Sequence, residues 1–166
     1  MACRGGAGVS EDWVMLVYRV PREPSTPRIA IWRKLRKCGA YQLTDGVVLL
    51  PASARTREQL EWVAEDAVSA GGSGEVWSAA PTNPAESERI RAELQSARGA
   101  EYAEIVVEAQ QAEDHADPAK QLDVLRRRFR EITRRDHFPT ESRETARHAL
   151  RTLADRLLET EPARPS

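Results

Sequence analysis

The hydrophobic pattern changes period along the chain, and each change marks an element. Trp13 to Val20 (WVMLVYRV) is nearly continuous in apolar residues and rich in β-branched and aromatic side chains. That pattern predicts a central strand covered by helices. The prolines of the following PREPST stretch exclude regular structure. Thr26 then suits an N-cap, with Pro27 at the first helical position, where its missing N–H costs nothing. From Pro27 to Cys38 the helical spacing gathers Ile31, Leu35 and Cys38 on one face with Trp32 beside them, while Arg33, Arg36 and Lys37 fall on the other. Gly39 is a natural stop. Ala40 to Thr44 and Val47 to Pro51 read as two strands joined by Asp45-Gly46, a tight-hairpin signal. Thr56 with Gln59 forms a capping-box pattern ahead of a second helix, whose buried stripe is Leu60, Val63, Ala64, Ala67 and Val68. Gly71-Gly72 ends that helix, and Glu75 to Ala79 reads as a fourth strand. The order βαββαβ predicts an α+β, ferredoxin-like domain over residues 12–81.

Beyond Asn83 the pattern is helical throughout. Asn83, Pro84 and Glu86 supply a cap, a first-turn proline and a capping-box acid. Ile90, Leu94, Ala97, Tyr102, Ile105 and Val106 form a long apolar stripe with Gly99 as a candidate bend. Asp117-Pro118 opens another helix with Leu122, Leu125, Phe129 and Ile132 on one face. Pro139-Thr140 interrupts the chain, and Ala146, Ala149, Leu150, Leu153 and Leu157 mark a last helix. This predicts a helical extension of about three helices over residues 82–160, packed on the sheet domain, with disordered tails at 1–11 and 161–166.

Composition adds little to that frame but narrows the setting. The 166 residues are 40% apolar and 31% charged, an ordinary globular mixture able to fold without staples. Cys3 and Cys38 suggest neither a disulfide framework nor a metal site, which fits a reducing compartment. The opening MACRGGAGVSED lacks the apolar centre of a signal peptide, and no apolar run approaches the ~18 residues of a membrane span. A cytoplasmic protein with no membrane partner is expected. Net charge is −1, yet Arg19, Arg22, Arg28, Arg33, Lys34, Arg36 and Lys37 crowd one segment against the single acid Glu23. Such a patch can meet an anion despite the neutral sum.

Catalytic chemistry is not legible. His115, His137 and His148 are scattered without partners at ligand spacing, and no nucleophile–base motif or Cys-x-x-Cys pair occurs. The run Gly71-Gly72-Ser73-Gly74 follows a helix rather than opening one, so it reads as a turn and not a phosphate cradle. No enzyme activity, catalytic residue, metal or cofactor is expected.

The segment Leu16 to Ala40 (LVYRVPREPSTPRIAIWRKLRKCGA) resembles the amino-terminal domain of the ChrB family, regulatory proteins associated with bacterial chromate resistance. The matching features are Tyr18-Arg19-Val20-Pro21, Glu23-Pro24-Ser25-Thr26-Pro27-Arg28 and Trp32-Arg33-Lys34-Leu35. Arg98 to Glu104 is similar to the family's Arg-x-x-x-Tyr-x-Glu helix, and Arg134-Arg135-Asp136-His137-Phe138 to its Arg-Asp-x-Phe turn. The resemblance covers roughly Glu11 to Leu158.

What the resemblance implies is a transcriptional regulator, or regulatory subunit, of a chromate-resistance or related stress operon. Many members carry a further carboxy-terminal domain that this chain is expected to lack. DNA, a second copy of the chain and a separate sensor protein of that carboxy-terminal type are the expected partners. The residues expected to contact DNA or another anion are Arg19, Arg22, Arg28, Arg33, Lys34 and Lys37, because guanidinium and ammonium groups near a helix start suit phosphate. Against this, the helix cations can simply be a solvated face, and the turn arginines can pair with Glu101, Glu104 and Glu108. Trp13 and Trp32 read as core rather than as base-stacking platforms. Two other readings stand beside the regulator. One is an accessory protein docking a separate sensor domain. The other is a metal-dependent nuclease: the βαββαβ order resembles a CRISPR-associated small endonuclease family in which an acidic residue closes the first strand and holds the metal, and Arg19 at that position disfavours the activity.

Overall fold

In the computed structural model, which describes residues 13–160, the apolar run at the start of the chain is the central strand β1, Trp13–Arg19. The tails expected at 1–11 and 161–166 lie outside the described residues. Helix α1 (Thr26–Cys38), the hairpin strands β2 (Tyr41–Thr44) and β3 (Val47–Pro51), helix α2 (Ala54–Ser69) and strand β4 (Ser73–Ala79) follow. The described chain is α+β, with one four-stranded antiparallel sheet in the order β2-β3-β1-β4 and five α-helices. It divides between Ile90 and Arg91 into two compact units.

The first unit follows from the alternation within its strands. Successive strand side chains point to opposite faces, so Val14 and Leu16 of β1 share a face with their register partners Leu50 and Val48 of β3. These four pack with Ile31, Leu35 and Cys38 of α1 and with Leu60, Val63, Ala64 and Ala67 of α2 in one buried core. Each fully buried aliphatic side chain contributes roughly 1.5–3 kcal/mol. Helix α2 lies so close on β4 that a Cβ at Gly74 would come 2.6 Å from the Ala64 Cα, which explains a glycine inside a strand. On the opposite sheet face Trp13 is only 2% exposed, and its indole N–H donates to the Ser87 hydroxyl at 2.9 Å.

The second unit begins within helix α3 (Pro84–Gln111), which runs unbroken through Gly99. A single 3₁₀ turn (Ala112–Asp114), α4 (Pro118–Arg134) and α5 (Glu141–Thr160) complete it. Tyr102, Ile105, Ala109, Leu122, Leu125, Ile132, Ala146, Leu150 and Leu153 form its core, with Phe129, Ala149 and Leu157 half-buried at the edge. Asp117 caps α4, its carboxylate accepting from the Lys120 N–H at 3.0 Å.

Several expectations need correction. The residue capping α2 is Ser53, not Thr56. Thr56 instead answers Ser53 from the third helical position, so the box closes between two hydroxyls and Gln59 has no part in it. Helix α1 begins at Thr26 itself, so the N-cap position falls on Ser25, whose side chain makes no capping hydrogen bond. Strand β4 starts at Ser73, so Ser73 and Gly74 belong to the ladder rather than to the preceding turn. Val68 is 56% exposed, because the buried stripe of α2 ends one residue earlier at Ala67. Ala97 is exposed as well. Trp32 departs furthest from expectation, being 49% exposed.

Candidate anion-binding groove

The chain leaves the sheet at Arg19, crosses an exposed connection carrying Arg22, and enters α1, whose first turn presents Arg28. Three arginines from three different backbone contexts thereby line one half-open groove of about 760 Å³. The β2–β3 hairpin lines it as well, with Gln42, Asp45 and Gly46. Gly46 holds the hairpin against β1. Its carbonyl accepts the Tyr18 N–H at 2.8 Å, its φ is +72°, and an added Cβ would come 2.5 Å from the Tyr18 carbonyl oxygen. Only glycine fits there without strain.

The electrostatics of the groove are one-sided. Among the described residues, none of Arg19, Arg22 and Arg28 takes part in an ion pair. The acids proposed as their internal partners are engaged elsewhere: Glu101 by Arg98 and Arg135, and Glu104 and Glu108 by Arg128. Asp45 is the one acid lining the groove. Burial first, and then the field of Asp45, push the Tyr18 hydroxyl above the ordinary phenol range.

The remaining basic candidates are not in the groove. Arg33 and Lys37 lie exposed on another face of α1, and Lys34 pairs with Asp66 of α2. The groove also contains residues the sequence reading assigned elsewhere or passed over, namely Trp32, Ile29, Tyr18 and Gln42. Trp32 carries Arg36 over its ring at 4.9 Å from the centroid. A usable signal was present. Arg28, Ile29, Trp32 and Arg36 recur at helical spacing about a quarter turn away from the Ile31-Leu35-Cys38 stripe, a second face of mixed arginine and apolar character.

A family model described as "Protein ChrB, N-terminal" matches residues 28–118. The chain belongs to the ChrB family. It is 34% identical over 136 residues to Protein ChrB of Cupriavidus metallidurans, an alignment covering 78% of this chain and 41% of that relative. The chain thus spans less than half the length of the curated ChrB protein it matches. No solved structure matches. The two ChrB-like motifs of the second unit meet each other. Tyr102 donates from its hydroxyl to the Asp136 carboxylate at 3.0 Å, while Arg98 pairs with Glu101 at 2.7 Å and Arg135 closes on the same carboxylate. The helix motif and the turn motif are therefore one packing device. No helix of the described chain is long and apolar enough to cross a membrane.

Proposed function

We propose that this chain is a cytoplasmic transcriptional regulator, or the regulatory subunit of one, serving a chromate-resistance or related stress operon. In this reading it binds nucleic acid through the groove arginines. The observation that carries it is the convergence of Arg19, Arg22 and Arg28 on one groove with no ion-pair partner among the described residues. Solubility alone does not require arginines to be gathered and left unpaired. Phosphate does, since charge-assisted guanidinium contacts dominate backbone recognition of nucleic acid. Membership of the ChrB family supports the regulatory part. The sheet order β2-β3-β1-β4, with both helices packed in the core on one face, supports a ferredoxin-like frame for the first unit. Binding rather than catalysis is the role we assign to the chain.

The test is a salt titration. For the intact chain the logarithm of affinity should fall with the logarithm of salt concentration, by about 0.9 per phosphate neutralised on duplex DNA. Replacing Arg22 and Arg28 together by Ala should weaken binding to all sequences alike and flatten the slope by about two units. Both side chains are exposed and outside either core, so the thermal transition should not move. A folded double variant with unchanged affinity would remove this groove from the binding surface.

A further inference from the structure

Phosphate contact alone does not account for the shape of the site. A duplex presents its phosphates on a convex surface, and a flat basic patch is enough to meet them. Here the arginines line a concavity of about 760 Å³, within the roughly 300–1,000 Å³ of sites that enclose a small ligand. One wall is an indole, Trp32, left 49% exposed where a helix flank would ordinarily carry a polar residue. Ile29, 45% exposed, adds apolar surface one turn before it. Arg36 stacks over the indole at 4.9 Å from its centroid, and a ring that is 49% exposed still has surface to offer a flat partner. The Gln42 amide and the Asp45 carboxylate line the same groove from the hairpin. A carboxylate repels phosphate, so a ligand satisfying every lining group has an anionic part for the arginines and a hydrogen-bonding, donor-bearing part for Asp45.

We propose that the groove receives an unpaired nucleotide, its phosphate held by Arg19, Arg22 and Arg28 and its base stacked on Trp32. This rests on the nucleic-acid reading above and goes beyond it. A base within a duplex has both faces covered by its neighbours, so only a nucleotide in a single strand, a splayed site or free solution can offer a face to the indole. Asp45 accepts hydrogen bonds only, which favours bases with an exocyclic amino group: the cytosine amino group offers two N–H donors, against the single N3–H of thymine.

The test uses the full chain with a fluorescein-labelled cytidine homopolymer, the corresponding thymidine homopolymer, a duplex of equal length, cytidine monophosphate and inorganic phosphate. The cytidine strand should bind more tightly than the thymidine strand. Trp32→Ala should lose about tenfold in single-strand affinity while duplex affinity stays within twofold, and Trp32→Phe should recover most of the loss. Arg22→Ala with Arg28→Ala should weaken both. Cytidine monophosphate binding as tightly as the strand, in a Trp32-dependent way, identifies a free nucleotide as the ligand; binding far weaker than the strand identifies single-stranded nucleic acid. Duplex binding with Trp32→Ala without effect on the single strand, or lowering both equally, overturns this proposal and leaves the phosphate reading standing. No binding to any of these probes overturns both. A shifted melting transition in Trp32→Ala that Trp32→Phe does not restore would return the indole to a structural role and also overturn the proposal.

Discussion

Tyr102 sits at the meeting of the two ChrB-like motifs, and its phenol has a pH consequence. Burial raises its pKa above the ordinary value of about 10, and the hydrogen bond donated to Asp136 pushes the same way. A proton held more tightly in the folded state than in the unfolded one stabilises the fold fully below the unfolded value. That contribution is lost as pH climbs past about 10 toward the folded value. Tyr18, also raised, works in the same direction. Urea midpoints should therefore drop on going from pH 8 to pH 11. Tyr102→Phe should show a shallower drop, together with a loss of about 1 kcal/mol at pH 8 from the missing hydrogen bond. An identical alkaline drop in the variant would place the titrating group elsewhere.

Helix faces were readable because a 3.6-residue period leaves a stripe, and Ile31-Leu35-Cys38, Leu60-Val63-Ala64-Ala67 and Leu122-Leu125-Ile132 are buried as the spacing requires. The period does not say how wide the stripe is. Phe129 lies on the edge of its stripe, half-buried, its ring 5.7 Å from that of Tyr102 and its face approached by Arg147. Phe129→Ala should cost about 2 kcal/mol in chemical denaturation, below the ~3–5 kcal/mol of a fully enclosed phenylalanine. An unchanged midpoint would put the ring outside the core. Trp32 and Val68 were misplaced for the same reason, since each borders a stripe and apolar character alone put them inside it. The cap of α2 was displaced where two eligible hydroxyls compete, Ser53 with Thr56. Sequence names the candidates, but only backbone geometry shows which has left the helix.

Across the whole molecule a net charge of −1 conceals two different uses of arginine. In the second unit Arg98, Arg128, Arg135, Arg147 and Arg156 are each paired with a glutamate. Those of the groove stand apart from such pairs among the described residues. Exposed pairs of the first kind contribute about 0–1 kcal/mol each. The basic segment was visible in the sequence, but its division was not. Whether Arg28 or Lys34 faces the groove depends on α1's rotation against the sheet, and the hairpin wall arrives only through the crossover to β3. The indole bond from Trp13 to Ser87 bears on where the chain can be cut. Ser87 and Ile90 are buried in the opening turns of α3, so the first unit does not end with its last strand. A recombinant fragment stopping at residue 82 keeps every strand yet loses the acceptor for Trp13. It should melt well below a fragment ending at residue 95 and show red-shifted tryptophan emission; equal melting temperatures would contradict this. The durable boundary for anyone excising the sheet domain therefore lies inside a helix rather than in the proline-rich loop before it.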